Sequence, residues 1–158
     1  LKLWVIAVGR PGKRLLDAIA DYERRASRYW NLEVIEIREE RAAKSVPVER
    51  VRELESSRLL ERVPAGVEIF ALTRGGTMWN SNQLTEHLQQ LAVKAAPGAA
   101  FLIGGAFGLS DALLRRADRT LQLSSYTLPH ELARLILAEQ LYRAGTIARG
   151  EPYHKAVR

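Results

Sequence analysis

The chain is predicted to fold as an α/β domain, a mostly parallel sheet with helices on both faces, and three observations support that prediction. Short apolar runs alternate with amphipathic stretches in the order β-α-β-α-β-α-β-α-β-α, as in parallel sheets joined by crossover helices. Leu1 to Val8 and Ala99 to Ile103 are apolar in both alternation phases apart from Lys2, the pattern of strands covered on both faces. Glycine pairs follow two of the runs, at Gly75-Gly76 and Gly104-Gly105, where the chain must turn or approach another group closely.

Leu1 to Val8 reads as a central strand stopping at Gly9. Residues 12 to 29 place Leu15, Leu16, Ile19, Tyr22 and Ala26 at helical spacing, with Asp17, Asp21, Glu23 and the arginines opposite. Glu33 to Ile37 is a second strand. The charged stretch Arg38 to Lys44 is a loop leading to Ser45 and Pro47, a helix-start signal ahead of Val48, Val51 and Leu54. Pro64-Ala65-Gly66 breaks the chain before a third strand, Val67 to Leu72, and Thr73-Arg74-Gly75-Gly76-Thr77 then reads as a candidate ligand loop. The next helix has Asn80 as N-cap, Gln83 three residues on, and Trp79 placed to staple Leu84. Leu84, Leu88, Leu91 and Ala95 form its apolar stripe, and Pro97-Gly98 ends it.

The rest of the chain is organised around Ala99 to Ala144. A strand stops at Gly104-Gly105, and a helix starts at Ser110 as N-cap, flanked by Leu109 and Leu114. Thr120 to Leu123 is a short strand, and Ser124 to His130 is a polar loop closed by Pro129, which suits the first turn of a helix. The last helix, Glu131 to Ala144, is apolar over more than half its circumference through Leu132, Leu135, Ile136, Leu137, Leu141 and Tyr142. That surface suits packing on a second subunit as well as on its own sheet; a wholly intramolecular core is the other use. Two strand ends thus deliver loops of glycines and hydroxyls, the chemistry of a small molecule held by backbone groups. A plain strand-to-helix turn is the alternative at Gly104-Gly105. Ile103 to Gly108 lacks the first glycine of the dinucleotide fingerprint and follows a late strand, which disfavours a nicotinamide enzyme.

At 158 residues the chain fits one domain, 1–158. It has no cysteine, so disulfides, thiolate catalysis and Cys-based zinc sites are excluded, and no clustered His and carboxylate ligands suggest a metal. No apolar run reaches membrane-spanning length, and the expected location is cytoplasmic. Lys plus Arg number 24 against 18 Asp plus Glu, a net charge of +6, which favours a polyanionic partner such as RNA. A mixed solvated surface is the competing use of that charge, since Glu36, Glu39 and Glu40 are interspersed. The tail, Arg149 to Lys155, is too polar for core but sets an aromatic, an imidazole and a cation together, a trio that can stack on a base and hold phosphate.

Four motifs together carry a resemblance: Ile103-Gly104-Gly105-x-x-Gly108, Leu123-Ser124-x-x-Thr127-Leu128-Pro129-His130, Glu139-x-Leu141-Tyr142-Arg143-Ala144, and Tyr153-His154-Lys155. The chain resembles the RlmH family over its whole length. These are SPOUT-class methyltransferases that methylate N3 of a pseudouridine in 23S ribosomal RNA on assembled ribosomes. The resemblance implies a C-terminal trefoil knot, S-adenosylmethionine (S-adenosyl-L-methionine) as cofactor, and a homodimer. It implies that Leu72, Gly104, Gly105, Leu123, Ser124, Ser125, Tyr126, Thr127 and Leu128 contact the cofactor. His130, Arg143 and His154 are the catalytic candidates, since methylating N3 requires removing its proton or stabilising the anion, and an imidazole titrates near neutral pH. Glu139, Tyr142, Tyr153, His154 and Lys155 are the substrate-facing candidates. Two positions depart from the family pattern: Thr73 stands where an acidic residue is common, and Gly145 where an aromatic is frequent. A knotted RNA-binding protein without catalysis and a flavodoxin-like nucleotide binder are the competing readings, and neither requires S-adenosylmethionine.

Overall fold

The computed structural model describes residues 1–153, so His154 and Lys155 lie outside the described residues. Five strands, β1 (Lys2–Val8), β2 (Asn31–Ile37), β3 (Glu68–Thr77), β4 (Ala99–Ile103) and β5 (Arg119–Leu121), form one sheet. Their order is β2-β1-β4-β3-β5, and every neighbouring pair is parallel. The connecting helices are α1 (Lys13–Ala26), α2 (Val48–Glu61), α3 (Ser81–Val93), α4 (Asp111–Arg116) and α5 (His130–Ala148). This is the α/β architecture that the alternation of apolar runs predicts.

Alternate residues of each strand serve two cores. On one face Leu3, Val5, Ala7, Phe70, Phe101 and Ile103 meet Ala26 of α1, Leu84 and Leu88 of α3, and Leu137, Leu141 and Ala144 of α5. On the other, Trp4, Ile6, Val8, Ile69, Ala71 and Leu102 meet Leu59 of α2 and Leu113 of α4. Strand β4 is central and buried at all of its positions, which is why its sequence contains no polar residue. The helices after β3 and β4 leave to opposite faces, and such a divergence opens a crevice at the carboxyl ends of the strands.

The local signals hold at most junctions. Asn80 accepts a hydrogen bond from the Gln83 backbone N–H while the Gln83 side chain accepts from the Asn80 N–H, a complete capping box at α3. Ser110 caps α4 by accepting from the Leu113 N–H. Several boundaries differ from the expected ones, and three of them bear on the site. Thr73 to Thr77 is part of β3 and not a free loop: Leu72 and Thr77 both lie opposite Leu121, so the residues between them bulge from the edge of the ladder. A Cβ on Gly76 would stand 2.7 Å from the Leu121 carbonyl carbon, so that glycine is required by backbone approach. The last short strand covers Arg119–Leu121 rather than Thr120 to Leu123, and α5 continues past Ala144 to Ala148. Gly145 therefore sits inside a helix, buried against α1's exit, where Tyr29 fills the space that a side chain would need.

Candidate functional site

A cavity of about 700 Å³ opens where β3, β4 and β5 end. One wall is the Gly104–Leu109 loop after β4. Gly108 N–H donates to the Gly105 carbonyl at 3.0 Å, closing a tight turn, and Gly108 has φ +78°. A Cβ on Gly104 would meet the Gly108 carbonyl carbon at 2.8 Å, so the wall is backbone against backbone. The opposite wall is the loop after β5, which is held by its own side chains. Gln122 Nε2 donates to the Ser124 carbonyl at 2.9 Å, and the Tyr126 N–H donates to Ser124 Oγ at 2.9 Å. Arg74, on the β3 bulge, donates to Thr127 Oγ1 at 3.1 Å and bridges the second and third sides. Leu72, Ile103, Leu109, Leu123 and Leu128 make the interior apolar.

Of the residues expected at a cofactor, Leu72, Gly104, Gly105, Leu123, Ser124, Tyr126, Thr127 and Leu128 line this one cavity; Ser125 is in the same loop but exposed and outside the lining. His130, first residue of α5, lines it as well. Sequence reasoning missed Arg52 and Phe107. Arg52 comes from α2 and donates to the Phe107 carbonyl at 2.8 Å, a placement to which no local pattern points. The lining has no carboxylate, and Arg52, Arg74 and His130 are its basic side chains. Among the described residues no group of three or more His, Asp or Glu is gathered as metal ligands would be, and no helix is long and apolar enough to cross a membrane.

Arg143 does not line the cavity. At about 1.5 Å rise per residue it stands about 20 Å from His130 along the axis of α5. There it donates to Glu139 Oε1 through Nε at 3.0 Å and Nη2 at 2.5 Å, one helical turn away. Tyr153 donates to the same oxygen at 3.0 Å, and the Arg143 guanidinium lies 4.9 Å from the centre of the Tyr153 ring. Tyr142 packs on Tyr153 with centroids 4.6 Å apart, and Tyr22 and Tyr29 tilt against its other side. Tyr29 also hydrogen-bonds Glu151. Burial, then the neighbouring Glu139, pushes the Tyr153 phenol well above its ordinary range. For Arg143 burial acts downward, but the bonds to Glu139 outweigh it and the guanidinium is held above its usual value. The structure thus brings Glu139, Tyr142, Arg143 and Tyr153 together, in a cluster remote from His130 within one chain. His154 and Lys155, expected beside them, lie outside the described residues.

Fold and cavity together define a class: open parallel α/β domains that hold a small ligand on loops at the carboxyl ends of central strands. The family described as "Predicted SPOUT methyltransferase" matches residues 1–154. A ribosomal RNA large subunit methyltransferase H from Gemmatimonas aurantiaca is 48% identical, over 98% of this chain and 100% of its own length. The protein of the same name from Syntrophotalea carbinolica is 40% identical, over 98% and 99%. Among solved structures, a probable methyltransferase from Bordetella pertussis superposes with a TM-score of 0.55 at 19% identity, covering 90% of this chain and 93% of that one, a likeness of fold. The chain belongs to the SPOUT methyltransferases, in the family of ribosomal RNA large subunit methyltransferase H.

Proposed function

We propose that the strand-end cavity binds S-adenosylmethionine and that the protein methylates N3 of a pseudouridine in 23S ribosomal RNA, on assembled ribosomes in the cytoplasm, as one domain over 1–158. The observation that carries the reading is the cavity itself: the glycine and hydroxyl loops converge on one space with apolar sides and backbone polar groups. Its size is within the range of about 300–1,000 Å³ typical of small-ligand sites. Gly104 and Gly105 let the loop pack against Gly108 and Glu55, where Cβ atoms would collide, and so bring their backbone to the cavity wall. Leu72, Leu123 and Leu128 would pack on the nucleoside, with the 104–109 and 122–128 backbones supplying donors and acceptors. When bound, S-adenosylmethionine supplies a methyl group on a sulfonium, a good leaving group that needs no further activation.

What remains for the chain is to align the ring nitrogen and take its proton. His130 is the base in this reading, because it lines the cavity and an imidazole's ordinary pKa of about 6.5 matches the task near neutral pH. Arg52 and Arg74 on the rim, with no carboxylate between them, suit a phosphate backbone. Because His130 and Arg143 are about 20 Å apart along one helix, a single base cannot meet both within one chain. The protein therefore acts as a homodimer in which Glu139, Tyr142, Arg143 and Tyr153 of one copy, with its His154 and Lys155, face the cavity of the other. The knotted chain path belongs to the same reading. Its support is the edge strand β5, lying beside β3 with Gly76 pressed on the backbone of Thr120 and Leu121.

The test is methyl transfer from S-adenosylmethionine to ribosomes lacking the modification, read by mass spectrometry of nucleosides. His130→Ala and Arg143→Ala should each abolish transfer while S-adenosylmethionine still binds. Co-expressed, the two variants should recover about a quarter of wild-type activity, since half the dimers then hold one intact site of two. Absence of methylpseudouridine with wild type would remove the activity, and absence of recovery would place each site within one chain.

A further inference from the structure

Helix α2 carries a second set of polar groups that the reading above leaves unused. Arg52, Glu55 and Ser56 share one face by their i, i+3 and i+4 spacing, and all three reach the Gly104–Ser110 segment. Arg52 Nε donates to the Phe107 carbonyl at 2.8 Å, and Ser56 Oγ accepts from the Ser110 N–H at 2.8 Å. Between these two anchors stands Glu55, 3% exposed, with Oε1 only 2.9 Å from where a Cβ on Gly105 would be. Its Oε2 accepts from the Glu40 N–H at 3.0 Å, while Oε1 has no hydrogen-bond partner among the described residues. A buried carboxyl oxygen without a partner is costly. The Arg52 and Ser56 bonds already fasten α2 to the loop without it. Its placement under Gly105 gives that cost a use.

We propose that Glu55 is a positioning residue: the reach of its side chain props Gly105 from behind and sets the height of the loop that walls the cavity. The same carboxyl also links that loop to the Arg38–Val46 segment through Glu40, which Arg58 holds at 2.5 Å while donating to the Arg38 carbonyl at 3.0 Å. The groups facing Glu55 are Glu39, Arg58 and His130, together with the Glu40 backbone. Burial is the largest influence on the carboxyl and raises it above its ordinary range, so the prop is held closer to its neutral form than a surface glutamate would be. Oε1 makes no hydrogen bond among the described residues and stands 2.9 Å from the Cβ position at Gly105, so the loop meets the side chain's reach rather than its charge. The inference rests on the cavity being the S-adenosylmethionine site only for its binding readout.

Three substitutions separate these properties. Glu55→Gln keeps reach without charge, Glu55→Asp keeps charge but is one methylene short, and Glu55→Ala removes both. S-adenosylmethionine affinity by calorimetry should stay near wild type for Glu55→Gln and fall about tenfold for Glu55→Asp and Glu55→Ala, as expected when a supporting side chain lets a site relax by a fraction of an ångström. Hydrogen exchange at residues 105–108 should rise in the same two variants. Leu59→Ala, a buried apolar change one turn farther along the same helix, serves as the stability control and should leave both readouts closer to wild type than Glu55→Ala does. Equal behaviour of Glu55→Asp and Glu55→Gln overturns the proposal, as does a Leu59→Ala protein that loses affinity as much as Glu55→Ala. If Glu55→Ala does not fold, the Asp and Gln pair decides alone. If wild type fails to bind S-adenosylmethionine, the cavity's assignment falls, and exchange at 105–108 still decides whether Glu55 supports the loop.

Discussion

At the ends of β3, β4 and β5 the cavity is walled by backbone, small residues and leucines, whereas farther along α5 the Glu139–Arg143–Tyr153 cluster is made almost wholly of side chains. The first region has no acid in its lining; the second pairs its charges and half-buries its phenols. A backbone wall presents donors and acceptors whose positions are set by the sheet, so it can recognise a compact ligand without large side chains. A side-chain network fixes the orientation of one cation, Arg143, before any partner arrives, which lowers the ordering cost of using it. A cofactor can be held by the first arrangement alone, and a bulky anionic substrate needs the second. Helix α5 spans both, starting at one and ending beyond the other.

The largest expected effect comes from cutting the joint between them. Arg134, one turn after His130 and 6% exposed, donates to Glu23 at 2.9 and 3.1 Å and to Glu36 at 2.6 Å. Burial opposes its charge, but those bonds outweigh burial and hold the guanidinium above its usual value. Arg134→Ala strands Glu23 in a largely buried position and should cost about 3–5 kcal/mol, measured by urea unfolding. A loss below about 1 kcal/mol would mean that α5 is fastened by its apolar face alone.

A smaller effect isolates the second region. A Cβ on Gly145 would stand 2.4 Å from Tyr29 Cβ, so Gly145→Ala must displace the ring that packs on Tyr142. Overpacking of this kind costs about 1–3 kcal/mol. Calorimetric unfolding should show the loss while S-adenosylmethionine affinity stays unchanged. Loss of affinity as well would show that the two regions are mechanically coupled through α5.

The smallest effect is a pH slope at the cavity's back wall. Because burial raises the Glu55 carboxyl above its ordinary 4.5, the folded protein holds that proton more tightly than the unfolded chain does. The stability linked to it is complete below the ordinary value and is lost as pH rises through the raised one. Glu55→Gln removes that dependence, so the stability of wild type relative to the variant should fall as pH rises above the ordinary carboxyl value, read from urea midpoints. Parallel curves would mean that Glu55 ionises in the fold as readily as in the unfolded chain.

Much of the site could be read from residues near one another in sequence, and the misses have a common cause. Gly104-Gly105 and Ser124 to Leu128 stood out because a strand end, a glycine turn and a hydroxyl loop each leave a local pattern. The loop expected at Thr73 to Thr77 is a bulged strand, because its pairing depends on Leu121, more than forty residues on. Arg52 reaches the cavity, and Glu55 the loop behind which it stands, from a helix whose own periodicity marks only a core face. Gly145 stood only as a departure from the family pattern, and Tyr29, just after α1, occupies the space that a side chain there would need.

By itself the sequence determined the element order, the two-sided burial of β1 and β4, the caps at Asn80 and Ser110, and the motifs that place the chain in its family. The first three follow from periodicity, turn chemistry or capping, which act over a few residues; the motifs carry the family by resemblance alone. Only the tertiary structure decided the strand order β2-β1-β4-β3-β5, the meeting of three strand ends in one cavity, the separation of His130 from Arg143, and the burial of Glu55 beneath Gly105. Those depend on contacts between residues far apart in the chain, whose energies come from shared burial and shape and leave no periodic trace in either partner alone.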